Sequence, residues 1–196
     1  MKRIIGITGG IASGKSTVCS VIRSQGYPVI DCDRISYELS QKGQPLYNAI
    51  VERFGSSFLK ENEEIDRAKL GKLIFNNETA KLVLNSISHP LIKEELLKQI
   101  SKYDNGLIFI EVPLLYESKF NDICDRVICV FLPKKLQVER LMKREGIDED
   151  YALSKIHSQM DLYLKKSLAD FVIDSRGSFD ETRLQVENII NNLKGV

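Results

Sequence analysis

Residues 9–16 read Gly-Gly-Ile-Ala-Ser-Gly-Lys-Ser, a complete match to G-x-x-x-x-G-K-[ST]. An apolar, β-branched run precedes this stretch at residues 2–7, and an amphipathic run follows it at residues 15–24. Strand, glycine-rich turn and helix in that order commit the chain to a parallel α/β sheet. Gly9, Gly10 and Gly14 permit backbone angles that turn successive amides inward. Those amides, with the ones contributed by Ile11, Ala12 and Ser13, form a nest for phosphate oxygens, reinforced by the positive end of the following helix. Lys15 reaches the β- and γ-phosphates, Ser16 offers a hydroxyl to Mg²⁺, and Thr17 completes the stretch. A nucleoside triphosphate with Mg²⁺ is the expected ligand; the loop alone does not name an acceptor.

The rest of the chain agrees with such a sheet. Short apolar runs at 27–31, 107–112, 126–132 and 171–174 read as four further strands. Helical patterns fall at 15–24, 134–145 and 179–193, and Gly26 stops the first of them. Short apolar strands separated by helices predict a three-layer fold around a five-stranded parallel sheet. Two helical segments interrupt the alternation. One, residues 35–103, reads as wholly helical, with Pro90 in the first turn of a helix capped by Ser88 or His89. The other, residues 139–168, is rich in charge. This gives one domain over residues 1–196, with a core at 1–34, 104–138 and 169–196 and two helical subregions.

Twenty-eight basic residues against 27 acidic ones give a net charge of +1, so broad affinity for nucleic acid or an anionic membrane is not expected. The longest apolar runs have strand length, and the N-terminal one enters the glycine loop, so neither a membrane span nor a signal peptide is expected. Cys19, Cys32, Cys124 and Cys129 form no C-x-x-C pair, and only His89 and His157 could join them at a metal site. They read as reduced thiols of a cytoplasmic protein. A monomer and a small homo-oligomer both fit.

Guanine-reading N-K-x-D and the L-S-G-G-Q signature of transporter ATPases are absent, and the one D-x-x-G, at 174–177, follows the last strand. A small kinase remains. Asp33 lies just past the second strand, where ligands of such sheets bind. Its carboxylate either takes the proton of an acceptor hydroxyl or caps a helix starting near Arg34. Glu111 ends the third strand, either supporting Mg²⁺ through water or standing as a polar strand end. Arg140 and Arg144 lie four apart on one helical face, either as a basic lid meeting the transferring phosphoryl or as a solvated face.

With these elements in hand, the chain resembles the dephospho-coenzyme A kinase family. The resemblance is carried by residues 8–17 (T-G-G-I-x-S-G-K-S-T) and by Asp31-Cys32-Asp33. It continues through His89-Pro90-Leu91-Ile92, Pro113-Leu114-Leu115-Tyr116-Glu117 and the basic stretch 139–144. Gln159-Met160, Lys165 and residues 169–174 complete it. It implies transfer of the ATP γ-phosphate to the ribose 3′-hydroxyl of dephospho-CoA. It implies a helical CoA-binding subdomain at 35–103 and a lid at 139–168. Asp33 then serves as base, Lys15 and Arg140 as catalytic cations and Arg144 as an ATP contact. Thr8, Asp33, His89, Leu114, Leu115, Glu117 and Arg140 lie on the acceptor side. Competing roles are core packing for Leu114 and Leu115, a helix cap for His89 and a surface charge for Glu117. Two positions depart from the family pattern. Ala12 stands where Gly is usual, and Ser175 where Asn is common, which puts a side-chain amide contact to the nucleotide in doubt. The competing activities are a nucleoside or nucleoside-monophosphate kinase of the same architecture and, less in keeping with a basic lid, a nucleotide-dependent switch.

Overall fold

The computed structural model describes residues 1–195. In chain order the elements are β1 (Lys2–Gly9), α1 (Lys15–Ser24), β2 (Val29–Asp31), α2 (Cys32–Leu39) and α3 (Pro45–Phe54). They continue with α4 (Arg67–Asn76), α5 (Glu78–Ser101), β3 (Gly106–Glu111), β4 (Arg126–Phe131) and α6 (Lys134–Glu145). Last come α7 (Glu149–His157), α8 (Leu162–Leu168), β5 (Phe171–Asp174) and α9 (Phe179–Lys194).

The five strands form one parallel sheet in the order β2-β3-β1-β4-β5. The centre falls to β1, which pairs with β3 on one side and β4 on the other. Its alternation explains the layers. Ile5 and Ile7, with Ile128 and Val130 of β4, bury themselves against α1 and α9. On the opposite face Cys129 and Phe131 pack against Leu162 of α8. Successive side chains of a strand point to opposite faces, so both faces of the central strands are covered and an apolar run is needed. Each fully buried Ile contributes about 1.5–3 kcal/mol. The first strand runs past the expected residue 7 to Gly9, because Gly9 still pairs with Val130. The phosphate loop therefore leaves from the carboxyl end of the most constrained strand. The second strand is shorter than expected; Tyr27 instead packs edge-on against Phe109, centroids 5.7 Å apart.

Two compact units are distinguished, one of residues 1–30 with 103–195, the other of residues 31–102. In the latter, α2 to α5 enclose a core that includes Leu46, Ile50 and Leu70. Two expectations need correction there. The segment is not wholly helical: a 3₁₀ turn at Ser56–Phe58 leads into an antiparallel bridge between Leu59 and Ile65. Gly55, at φ 87°, ends α3, and the polar run 60–64 has no apolar face to sustain a helix. Nor does Pro90 start a helix. It sits inside the continuous 24-residue α5, so neither Ser88 nor His89 is a cap. An internal proline costs about 3 kcal/mol. Leu84, Ile87 and Leu91 flank it and pack into the same core, and burial on both sides offsets the break.

Among the described residues no helix is long and apolar enough to cross a membrane.

Candidate active site

The loop after β1 is drawn tight by a hydrogen bond from the Ser13 amide to the Gly10 carbonyl, 3.2 Å. Gly14, at φ 92°, is the N-cap of α1 and supplies no side-chain cap, leaving the helix's first amides to a ligand. Gly14 takes this left-handed angle where a Cβ would be strained. Lys15 folds over the loop, its Nζ 3.3 Å from the Gly9 carbonyl and 3.1 Å from that of Gly10. The Ser13 hydroxyl is buried and has no hydrogen-bond partner among the described residues.

Ala12 also takes a left-handed angle, φ 58°, which explains why glycine suits this position. The angle costs a non-glycine residue about 1–2 kcal/mol. In return Ala12, with Ile11, packs against Val138, Leu141 and Ala152 of α6 and α7. Glycine would relieve the strain and lose that contact while gaining freedom in the unfolded chain. Ala12→Gly is therefore expected to shift stability by less than about 1 kcal/mol and to leave turnover within about twofold. Thermal melting and steady-state kinetics check this; a large loss in either would make the methyl essential.

Arg140 and Ser175 close over the loop from the other side. The Ser175 hydroxyl donates to the Ser13 carbonyl at 2.6 Å, and the Ser175 carbonyl accepts from Arg140 Nη2 at 2.8 Å. A Cβ on Gly14 would lie 3.9 Å from Arg140 Nη1, so the guanidinium stands beside the start of α1. Arg144, on the same helix, is exposed and pairs with Glu145 at 2.7 Å. The structure thus brings Arg140 to the loop, whereas the described partner of Arg144 lies outside it. Ser175 ties β5 to the loop, a role that its residue type alone did not signal.

The segment after β3 is anchored by the Pro113 carbonyl, which accepts from the buried Thr8 hydroxyl at 3.1 Å and from Lys165 Nζ at 2.8 Å. Leu115 is fully buried, and Gly6 of β1 leaves room for it: a Cβ there would fall 2.7 Å from Leu115 Cδ1. Leu114 is exposed. Glu117 pairs with Lys165 at 2.7 Å and accepts the Met160 amide at 2.9 Å, so it is not a bare surface charge. Gln159 Oε1 accepts the Ile11 amide at 3.1 Å. Lys165 and Gln159 were not singled out from sequence as site residues. The available signal was their place in the Gln159-Met160 and Lys165 element of the family resemblance, together with the position of Lys165 three residues from Leu162 on the buried face of α8.

Glu111 ends β3 as expected, partly buried, with its carboxylate beside the Cys19 thiol. Burial, reinforced by the Glu111 carboxylate, pushes the Cys19 thiol far up, so it stays protonated. In the other unit the cap of α2 is Asp31, whose Oδ1 takes the amides of Asp33 (2.8 Å) and Arg34 (3.1 Å). Asp33 is not the cap; it is an exposed carboxylate in the first helical turn. His89 is half-buried inside α5, and burial holds its imidazole below the usual range.

A parallel sheet whose central strand delivers a complete phosphate loop, with α6 and α7 packed against that loop, defines a P-loop kinase of α/β type. Comparison with known proteins narrows this class. The family model for dephospho-CoA kinase matches residues 3–181, so the chain belongs to the dephospho-CoA kinase family. A dephospho-CoA kinase of Bacillus cereus is 46% identical over 195 residues, covering 98% of each chain. The crystal structure of TT1252 from Thermus thermophilus is similar at a TM-score of 0.85, with 29% identity and 98% of each chain covered. The dephospho-CoA kinase from Campylobacter jejuni gives 0.72 and 31%, covering 100% of this chain and 99% of its own.

Proposed function

We propose that this chain phosphorylates the ribose 3′-hydroxyl of dephospho-CoA with ATP, giving coenzyme A and ADP. The observation that carries phosphoryl transfer is the conformation of residues 9–16, with an uncapped α1 and the Lys15 ammonium folded over the loop. Family membership supports the acceptor. The residues fit Mg·ATP: the orphaned Ser13 hydroxyl and the uncapped amides suit phosphate oxygens, and Ser16 and Glu111 are hard oxygen donors. Ser16, and Glu111 through water, would hold Mg²⁺, which when bound draws charge from the triphosphate.

The residue roles follow. The loop from Gly9 through Thr17 binds the phosphates, with Arg144 joining on closure of the 139–168 lid. Asp33 follows β2 by two residues, and β2 ends on the same edge of the parallel sheet as β1. Its carboxylate takes the hydroxyl proton as the 3′-oxygen bonds to the γ-phosphorus and the bond to ADP breaks. Lys15 and Arg140 neutralise charge on the phosphoryl in flight. By the family pattern Leu114 and Glu117 of the core belong to the acceptor side, as does His89 of the helical subdomain, while Thr8, with no exposed surface, acts by holding the Pro113 carbonyl. Leu115, with no exposed surface, supports this side from the core, packed over Gly6 of β1. The reading places the enzyme in the cytoplasm, as a monomer or small homo-oligomer; its four free thiols suit a reducing compartment.

The test offers the purified protein ATP·Mg²⁺ with dephospho-CoA, AMP, CMP or adenosine and identifies the product by mass. Dephospho-CoA is expected to gain one phosphoryl group. Brisk conversion of a monophosphate with none of dephospho-CoA would overturn the reading. Arg140→Ala is expected to lower kcat about 10–10²-fold while changing the ATP dissociation constant about threefold or less. Equal losses in both would remove Arg140 from the chemistry.

A further inference from the structure

Lys165 has no exposed surface, yet it is a lysine. Its ammonium donates to Glu117 Oε1 at 2.7 Å and to the Pro113 carbonyl at 2.8 Å. Each partner carries a second bond. Glu117 Oε1 also accepts the Met160 amide, and the Pro113 carbonyl also accepts the Thr8 hydroxyl. Next to Met160, Gln159 accepts the Ile11 amide of the phosphate loop. One buried ammonium therefore joins the end of β1, the 113–117 segment and the turn between α7 and α8. That turn reaches back to the loop through Gln159.

Packing alone does not account for a lysine here. Burying an ammonium is costly even when it is paired, and an apolar side chain of similar length fills the same space without that cost. What the ammonium adds is direction, since it fixes where a carboxylate and a carbonyl oxygen must sit. We propose that Lys165 is a positioning residue for phosphoryl transfer. Through Glu117 it sets the α7–α8 turn so that Gln159 engages the Ile11 amide. The inference rests on the function proposed above. In that reaction small displacements of the groups around the phosphoryl are expensive, so a turn held in register contributes to turnover without touching substrate.

The test compares Lys165→Met, Glu117→Gln and the double variant in the full chain. In Lys165→Met, kcat at saturating acceptor is expected to fall at least about tenfold, with the ATP dissociation constant within about threefold. Amide exchange followed by NMR is expected to speed up at least about tenfold at Ile11 and Met160, with the β1, β3 and β4 amides unchanged. Glu117→Gln is expected to move kcat and exchange the same way, and the double variant to be no worse than Lys165→Met, because both act on one bond. Unchanged kcat, additive losses or uniformly faster exchange would each overturn the proposal. If Lys165→Met does not fold, the double variant decides, since it leaves neither charge behind, with exchange at Ile11 and Met160 as the readout that acceptor contact does not move. If the parent leaves dephospho-CoA unconverted, the proposed function fails, while exchange at Ile11 and Met160 still tests whether Lys165 holds the turn.

Discussion

Asp33→Asn is expected to lower kcat by about 10²–10⁴-fold while leaving the ATP dissociation constant within about threefold. Asparagine keeps the shape of the side chain and removes its ability to take the acceptor's proton. The structure makes this variant clean. Asp31 caps α2, so helix capping is preserved when the Asp33 carboxylate goes. What is lost is one negative charge in the first helical turn, about 0.3–1 kcal/mol. Thermal midpoint, ATP titration and single-turnover kinetics separate the effects. Near-normal turnover would remove Asp33 from the role of base.

Gly9→Ala is expected to cost about 3 kcal/mol or more and to abolish ATP binding. A Cβ there would lie 2.5 Å from the Val130 carbonyl oxygen and 2.7 Å from Ser13 Oγ. The first of these is backbone, paired with Gly9 in the β1–β4 ladder, and β3 closes the other side of β1. Neither strand has room to move, so the ladder opens or the loop swings out. For a chain of this length the melting midpoint should drop by about 6–12 °C or more. Gly10→Ala is a useful contrast. Its close contact, also 2.5 Å, is with Gln137 Oε1, the end of a side chain. A smaller loss is expected there. Parent-like melting and ATP affinity in Gly9→Ala would show that the close approach is not limiting.

The parts of the molecule legible from sequence are those whose causes are local. Residues 9–16 specify a loop by their own backbone freedom, and the strands by short apolar runs, so both emerged near their observed bounds. Interpretation failed where the deciding contact was distant. Proline at position 90 is a helix breaker by local rules, and only the shared core of Leu84, Ile87 and Leu91 carries α5 through it. Asp33 reads as a possible cap in sequence, but β2 stops at Asp31 and the helix starts at Cys32, which gives the cap to Asp31. Leu115 and Leu114 are adjacent leucines, and the missing side chain at Gly6 is what admits one of them to the core. Ser175 and Lys165 act through partners 162 and 48–52 residues away, a separation no motif spacing reports.

The strand order also bears on how the chain is made. The central strand is finished at residue 9, but its two neighbours are residues 106–111 and 126–131. The helical unit, residues 31–102, is contiguous and is complete before either neighbour has been synthesised. On a growing chain β1 and the phosphate loop must wait, with two unpaired edges, while the helical stretch emerges after them. The central strand of the finished molecule thus waits about 100 residues for its partners, and pairings of that separation are the kind that slow folding.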